Sequence, residues 1–391
     1  MNTTILNKEI QGYINSNLKS NITQLILKGS PFSSVSIQEV AEQILAKNKC
    51  ERKLPTWFTS EKIYYPNKLN IEQTSSEITA NYKSDLISGN TIIDITGGFG
   101  VDAYYFAQKF KKVTHCEINE ELSNIVQHNL KQLKCTNIDC HFGDGLEFIK
   151  NKSSNFDWVY ADPSRRNGAK GKVFLLKDCL PNIPENLELL FKKTNKILLK
   201  ISPMLDILSA INELNFVKSV HIIAVENDVK ELLFILEKNY TQQIDIKTIN
   251  FNKSEIEKFN FTFQNETLAT YSEPKKYLFE PNSAILKAGA FQQISAQLNI
   301  DKLHQHSHLY TSNNLIEFPG RRFKIEHVIS YNKKKIHNLI PSKKANITTR
   351  NFPETVAQIR KKTKLKEGGK QYLFFTTDVN NKHIVIICEK V

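Results

Sequence analysis

The sequence predicts an α/β fold in which helices flank a mostly parallel sheet whose last strand is antiparallel. Helices precede the sheet and a small α+β module follows it. Three observations carry that expectation. From about residue 90, short β-rich runs alternate with helical stretches, the pattern of a parallel sheet covered on both faces. The alternation stops at VHIIAVE (220–226) and ELLFILE (231–237), which are separated by only four residues. Parallel neighbours need a crossover of about a dozen residues, so these two runs pair antiparallel. Beyond residue 316 a third texture appears, with strand-like runs around a single helical one.

Taken in order, residues 1–54 read as small helices. SIQEVAEQILAKNK places Ile37, Val40, Ala41 and Ile44 at helical spacing, with Ser36 in the capping position. Pro55 in KLPTWF then breaks the pattern. The parallel strands are expected at 91–95, 113–118, 138–144, 156–163 and 196–202, with helices at 120–133 and 204–214 between them. After residue 240 the pattern is mixed. YLFEPNSAILKAGAFQQISAQL reads as a strand or loop entering a helix. RRFKIEHVI, YLFFTTD and HIVIICEK read as strands, with PETVAQIRKKTKL as a helix between them.

Composition narrows the function classes. The chain has 391 residues, 40% hydrophobic and 24% charged, a balance suited to two or three globular domains. No run is long and apolar enough for a membrane span. The start, MNTTILNKEIQGYI, lacks the basic-then-apolar order of a secretory signal, so a cytoplasmic protein is expected. The six cysteines form no C-x-x-C pair and read as reduced thiols, with neither disulfides nor a metal site. Charge is unevenly placed. Residues 318–391 hold 17 Lys and Arg against five Asp and Glu, so this end carries +12 of the net +13. A basic surface confined to one end suits a polyanion, with RNA as the expected partner and a merely solubilising surface as the alternative.

The first parallel strand runs into DITGGFGVDA. Asp94 ends it, Thr96 follows, and Gly97, Gly98 and Gly100 turn into the next helix. Glycines here admit positive φ and let the backbone approach a ligand. Gly98-x-Gly100-x-x-Ala103 also satisfies the dinucleotide fingerprint, so the glycines alone leave NAD and S-adenosylmethionine both open. Glu117 ends the second strand, 17 residues after Gly100, where a carboxylate can take both ribose hydroxyls. Asp144 ends the third strand, where an acid suits the adenine amino group. Three acids after three strands, with the antiparallel hairpin, favour S-adenosylmethionine. Ahead of the first strand, EQTSSEIT offers Ser75 or Ser76 as a helix cap with Thr79 inside the helix, or, with Ser75 and Thr79, a polar lid over the methionine end of the cofactor.

The fourth strand ends in ADPSRR. Asp162 and Pro163 form a rigid corner at the carboxyl end of the sheet, where ligands bind in open α/β folds. Asp162, Pro163, Ser164 and Arg165 are the candidate catalytic residues, orienting an amino group by hydrogen bonds. Arg166 is a candidate RNA contact, with Lys333, Lys334, Lys335, Lys343, Lys344, Arg350, Arg360 and Lys361 in the basic module. KISPMLD after the fifth strand has no cysteine. That argues against the thiolate chemistry of pyrimidine C5 methylation and favours transfer to nitrogen, with oxygen as the alternative.

Together, KLPTWF, EQTSSEITANYK, DITGGFGVD, ADPSRR, FEPNSAILKAGAF, FPGRRF, ANITTRNFP and LKEGGKQYLFFTT resemble the bacterial class I methyltransferases that carry a THUMP-like C-terminal domain. The resemblance covers nearly the whole chain. It implies a Rossmann-like, seven-stranded methyltransferase sheet with an antiparallel last strand. It further implies a helical region at 1–54, a methyltransferase domain at 55–240, a ferredoxin-like segment at 241–315 and a THUMP-like domain at 316–391. THUMP domains bind RNA, usually tRNA. The catalytic domain is also similar to guanine-N2 methyltransferases, whose motif has Asp or Asn, then Pro-Pro and an aromatic residue; here Ser164 and Arg165 stand in the last two places. Two other functions stay open: a non-catalytic RNA-binding protein on a cofactor fold, and a methyltransferase acting on something other than RNA.

Overall fold

The computed structural model describes residues 1–165, 175–253 and 255–391, and the side chain of Arg165 lies outside that description. The chain divides into two compact units. One comprises residues 1–218 and 233–241, the other residues 219–232 and 242–391.

The first unit opens with helices α1 (Lys8–Ser16), α2 (Ile22–Lys28) and α3 (Ile37–Lys53). Ser36 caps α3 in a capping box with Glu39, as the spacing of SIQE requires. Pro55 does not simply break the chain. It starts a new helix, α4 (Pro55–Thr59), because proline at the first helical position has no amide to waste and a φ already suited to the turn. Helices α5 (Lys68–Gln73) and α6 (Glu77–Leu86) follow. Glu77 at the start of α6 accepts from the Thr56 amide at 2.6 Å, the Thr56 hydroxyl at 2.8 Å and the Tyr105 hydroxyl at 2.8 Å. KLPTWF, EQTSSE and the helix after the glycine turn are therefore tied at one carboxylate.

The sheet strands are β1 (Thr91–Asp94), β2 (Lys112–Glu117), β3 (Ile138–Phe142), β4 (Trp158–Ala161), β5 (Lys196–Ile201), β6 (Val217–Val225), β7 (Asp228–Glu237), β8 (Asp245–Phe251) and β9 (Ile256–Thr262). Their order is β9-β8-β6-β7-β5-β4-β1-β2-β3. Seven of them, β1 to β7, form the expected sheet. Strands β8, parallel to β6, and β9, antiparallel to β8, lengthen it to nine. Those two runs were hidden in the mixed pattern after residue 240. The β6–β7 hairpin turns on Glu226 and Asn227, both left-handed with φ of 50° and 63°. That is the two-residue turn whose twist matches a right-handed ladder. The tight turn sits two residues earlier than the strand runs suggested. Helices α7 (Val101–Phe106), α8 (Glu120–Gln132), α9 (Gly145–Asn151), α10 (Ile183–Phe191) and α11 (Ile207–Glu213) connect the parallel strands. Burial of Ile92, Ile93, Val159, Leu198 and Leu199 fixes the sheet centre.

In the second unit a seven-stranded sheet runs in the order β11-β12-β10-β13-β16-β15-β14. These are β10 (Tyr277–Pro281), β11 (Asp301–Lys302), β12 (Tyr310–Ser312), β13 (Gly320–Ser330), β14 (Asn346–Arg350), β15 (Gln371–Thr377) and β16 (His383–Lys390). FEPNSAILKAGAFQQISAQL is β10 followed by two helices, α12 (Ser283–Ala288) and α13 (Gln293–Leu298), separated where Gly289 turns left-handed. Helices α14 (Lys333–Leu339) and α15 (Val356–Thr363) complete the unit. Sequence reasoning missed α14 and β14. Strand β14 pairs parallel to β15 through α15. Strand β10 pairs directly with β13, so the segments before and after residue 316 share one sheet.

Among the described residues no helix is long and apolar enough to cross a membrane, and no group of three His, Cys, Asp or Glu is placed to hold a metal. All six cysteines are free.

Candidate functional site

The carboxyl ends of β1, β2 and β4 converge on the glycine turn. Asp94 at the end of β1 is buried and organises that turn. Its Oδ1 accepts from the Thr96 amide (2.9 Å), the Thr96 hydroxyl (3.0 Å) and the Gly97 amide (3.0 Å). Burial drives the Asp94 carboxyl well above the usual range, and Asp102 adds to that; the three donors oppose it without prevailing.

The glycines have different jobs. Gly97 has φ 42°, and a Cβ there would lie 2.4 Å from the Cys116 carbonyl oxygen, so its task is to let the turn pass close to β2. Gly98 has φ 68° and open space where a side chain would stand. The backbone there is open to close approach. Gly100, φ 75°, is the residue from which α7 starts.

Glu117 reaches back to the same turn. Its carboxylate accepts from the Gly98 amide (2.7 Å) and the Asn119 amide (2.7 Å). Burial raises its pKa against those two bonds. Asp144 caps α9, accepting from the Leu146 amide (2.7 Å) and the Glu147 amide (3.1 Å) through one oxygen. It also lines a cleft of about 410 Å³ with His141, Glu147, Phe148, Asn151 and Lys152. Beneath the turn, burial pushes His115 on β2 down to about 4, so the imidazole is neutral at physiological pH.

Ser75 and Thr79 are both buried. Thr79 is buried in the first turn of α6, its hydroxyl bonded to the Ser76 carbonyl at 3.2 Å. Ser75 donates to Asp102 Oδ2 at 2.8 Å and accepts from Lys83 Nζ at 3.0 Å. Both hydroxyls are thus engaged inside the protein. Asp102 is the centre of this buried group. Lys83 Nζ stands 3.1 Å from its Oδ1, and the Tyr160 hydroxyl donates to its Oδ2 at 2.9 Å. Burial alone would raise Asp102, but Lys83, Lys200, Ser75 and Tyr160 outweigh it and hold the carboxyl below its ordinary value. Sequence reasoning missed Lys83, Asp102 and Tyr160. The available signals were the acid inside GGFGVDA and the lysine one helix turn after Thr79.

At the end of β4, the Asp162 amide donates to the Thr96 hydroxyl at 2.8 Å. Its carboxylate forms an ion pair with Lys200 at the end of β5. Lys200 was also missed; the signal was the one lysine in KILLKIS whose neighbours are all apolar or small. Pro163 is buried, while Ser164 is exposed. Ser164 and Arg165 pair as a short antiparallel ladder with Leu180 and Cys179. Arg166 lies outside the described residues.

In the basic module Lys333, Lys334, Lys335, Lys343, Lys344 and Lys361 are exposed. The two arginines of that set are engaged. Arg360 donates to the carbonyls of Leu365 and Ala345, both at 3.3 Å, tying two loops together. Arg350 donates to the Glu280 carboxylate at 2.8 Å and the Thr349 carbonyl at 3.0 Å.

Three family models match the chain. Residues 89–244 match an RNA cap guanine-N2 methyltransferase model, 277–319 a ferredoxin-like domain and 320–390 a THUMP domain-like model. The crystal structure of a protein assigned as a methyltransferase from Porphyromonas gingivalis W83 is 31% identical, with a TM-score of 0.88 over 99% of this chain and 98% of that one. An rRNA methylase from Streptococcus thermophilus is 15% identical over 42% of this chain and 98% of its own, with a TM-score of 0.32. M. capricolum TrmK in complex with S-adenosyl-homocysteine is 22% identical over 41% of this chain and 68% of its own, also at 0.32. No curated protein sequence matches the chain.

Proposed function

We propose a reaction from one premise: the chain belongs to the S-adenosylmethionine-dependent methyltransferases that carry ferredoxin-like and THUMP-like C-terminal domains. It transfers a methyl group to a base nitrogen of structured RNA, with guanine N2 the leading target and tRNA the leading substrate.

The cofactor supplies a methyl group on a sulfonium, and the residues present suit it. Open backbone at Gly98 accommodates its close approach. Glu117, already fixed by two amides, retains acceptor capacity for ribose hydroxyls. Asp144 uses one oxygen on its own helix and offers the other to an adenine amino group. Asp94, Ser75 and Thr79 act on the loop and the helix beneath it rather than by direct contact.

The observation that carries the reaction is the pairing of Asp162 with Lys200 at the end of the sheet. With one carboxylate oxygen held by the ammonium, the other accepts an N–H of the substrate amine. That bond aims the nitrogen lone pair, which is catalysis by positioning. As the nitrogen gains carbon it sheds a proton, and the same carboxylate is placed to receive it. Pro163 keeps the corner rigid and Ser164 faces the open side. The exposed lysines of the basic module hold RNA by phosphate contacts.

The test is mass spectrometry of modified nucleosides in RNA from a strain lacking the gene, compared with its parent. Loss of one N-methylated nucleoside, restored by the wild-type gene but not by an Asp162→Ala copy, supports the proposal. An unchanged RNA profile together with methylation of a protein or small molecule by the purified enzyme would sink it.

A further inference from the structure

Three sequence motifs that the reaction does not use meet at one point in the second unit. FEPN contributes Glu280 on β10, FPGRRF contributes Arg321 on β13, and ITTRN contributes Arg350 at the end of β14. Glu280 is only 3% exposed. Arg350 Nη2 donates to its Oε1 at 2.8 Å, and Arg321 Nε donates to its Oε2 at 2.6 Å, with Arg321 Nη2 against the same oxygen. Gly320 makes the approach possible, because a Cβ there would stand 2.2 Å from the Glu280 carbonyl oxygen.

One carboxylate needs one guanidinium. Here it holds two, leaving a net positive charge at a fixed place. Each arginine side chain is still more than a third exposed, at 39% and 36%. Among the described residues, Arg321 Nη1 and Arg350 Nε have no hydrogen-bond partner. The surroundings carry the same sign: His308, stacked on Phe291 at 3.6 Å, is pushed down to about 4, first by burial and then by Lys302, His306 and Arg350. A purely structural ion pair would not require a second, half-exposed guanidinium. An anchored guanidinium loses less side-chain entropy on binding than a free lysine, and its planar fork matches a phosphate.

We propose that Arg321 and Arg350, held by Glu280, form a preset grip for the phosphodiester backbone of the RNA substrate. This rests on the RNA reading of the basic module. It adds a fixed contact that sets register, where the exposed lysines supply attraction without geometry.

The test is filter binding of bulk tRNA by the full-length protein across a salt series. R321Q/R350Q should weaken binding about tenfold or more and reduce the slope of log affinity against log salt by about 1 to 2, one per lost phosphate contact. R321K/R350K should restore the slope but not the affinity, because charge returns without the fork. Since the double glutamine variant leaves Glu280 unpaired, E280Q/R321Q/R350Q serves as the folded control and should bind RNA as weakly. Wild-type affinity and slope in the triple variant would overturn the inference. Absence of RNA binding by the wild-type protein would instead overturn the RNA reading on which it rests.

Discussion

Lys200 stands beside Asp162, one residue beyond the Ala161–Leu199 pair of the β4–β5 ladder, and its ammonium holds the Asp162 carboxylate. The register of two parallel strands thus delivers a cation to the acid at the strand end. The same lysine also helps hold the part-buried Asp102 in its charged form.

Lys200→Met should leave cofactor affinity nearly unchanged and lower turnover by about 10- to 100-fold. That corresponds to losing a hydrogen bond to a charged group, about 1.5–3 kcal/mol. Lys200→Arg should recover part of it. Single-turnover methylation of RNA from the deletion strain, beside calorimetry of the cofactor, separates the two effects. Equal loss in both measurements would make Lys200 a general structural residue.

Glu117→Ala should weaken S-adenosylmethionine binding by about 1–3 kcal/mol, the loss of charge-assisted bonds to the ribose. Because Glu117 also ties down the Gly98 amide, the turn itself should loosen. Calorimetry reads the affinity, and NAD in the same cell should give no heat. Tight NAD binding would contradict the assignment of the loop.

The raised carboxyl of Asp94 makes a pH prediction. A group whose folded pKa lies above its unfolded value stabilises fully below the unfolded pKa and loses that stabilisation as pH rises through the folded one. Asp94→Asn keeps an oxygen for Thr96 and Gly97 but does not titrate. The stability of the variant relative to wild type should therefore rise with pH above the ordinary aspartate range. Denaturant melts at several pH values check this, and a gap independent of pH would show that Asp94 does not titrate on folding.

Lys83 is fully buried against Asp102. Lys83→Met leaves that carboxylate buried with its principal counter-charge gone, at a cost of about 3–5 kcal/mol. Lys83→Met with Asp102→Asn should cost clearly less. Chemical denaturation of both variants gives the comparison, and additive losses would mean the pair is not coupled.

Ending the chain near Leu315 is a poor way to remove the basic module. It would strip β13 from β10 and leave an open edge within what is one sheet. The truncated protein should aggregate or melt early, seen by size exclusion and thermal scans. Replacing Lys333, Lys334 and Lys335 together should instead keep the melt and lower the salt dependence of RNA binding.

Most of the fold was legible because β1 to β5 carry apolar runs bounded by turn residues, and because the β6–β7 pair is too close in sequence for a crossover. Strands β8 and β9 were not, since IDIKTINF and EIEKFNFT mix charge with apolar residues at sheet positions whose neighbours decide the pattern. Helix α14 escaped notice because three lysines open it, the reverse of what a helix N-terminus prefers. Of the residues proposed for the site, Asp94, Gly98, Glu117, Asp144 and Asp162 could be named because they follow strands. Lys83, Asp102, Tyr160 and Lys200 could not, because their importance comes from burial against one another. Sequence also cannot tell a free arginine from an engaged one, and both Arg350 and Arg360 are engaged within the protein.

The Thr96 hydroxyl has a further consequence. It donates to Asp94, which shapes the glycine turn, and accepts from the amide of Asp162. One rotor is therefore shared by the turn assigned to the donor and the corner assigned to the acceptor. A shift of the turn on filling would reach Asp162 through that shared oxygen. Thermodynamic reciprocity then applies: whatever factor the cofactor adds to RNA affinity by this route, RNA adds to cofactor affinity. Thr96→Val would cut the link while keeping the shape, and each ligand would then bind with the same affinity whether or not the other is present.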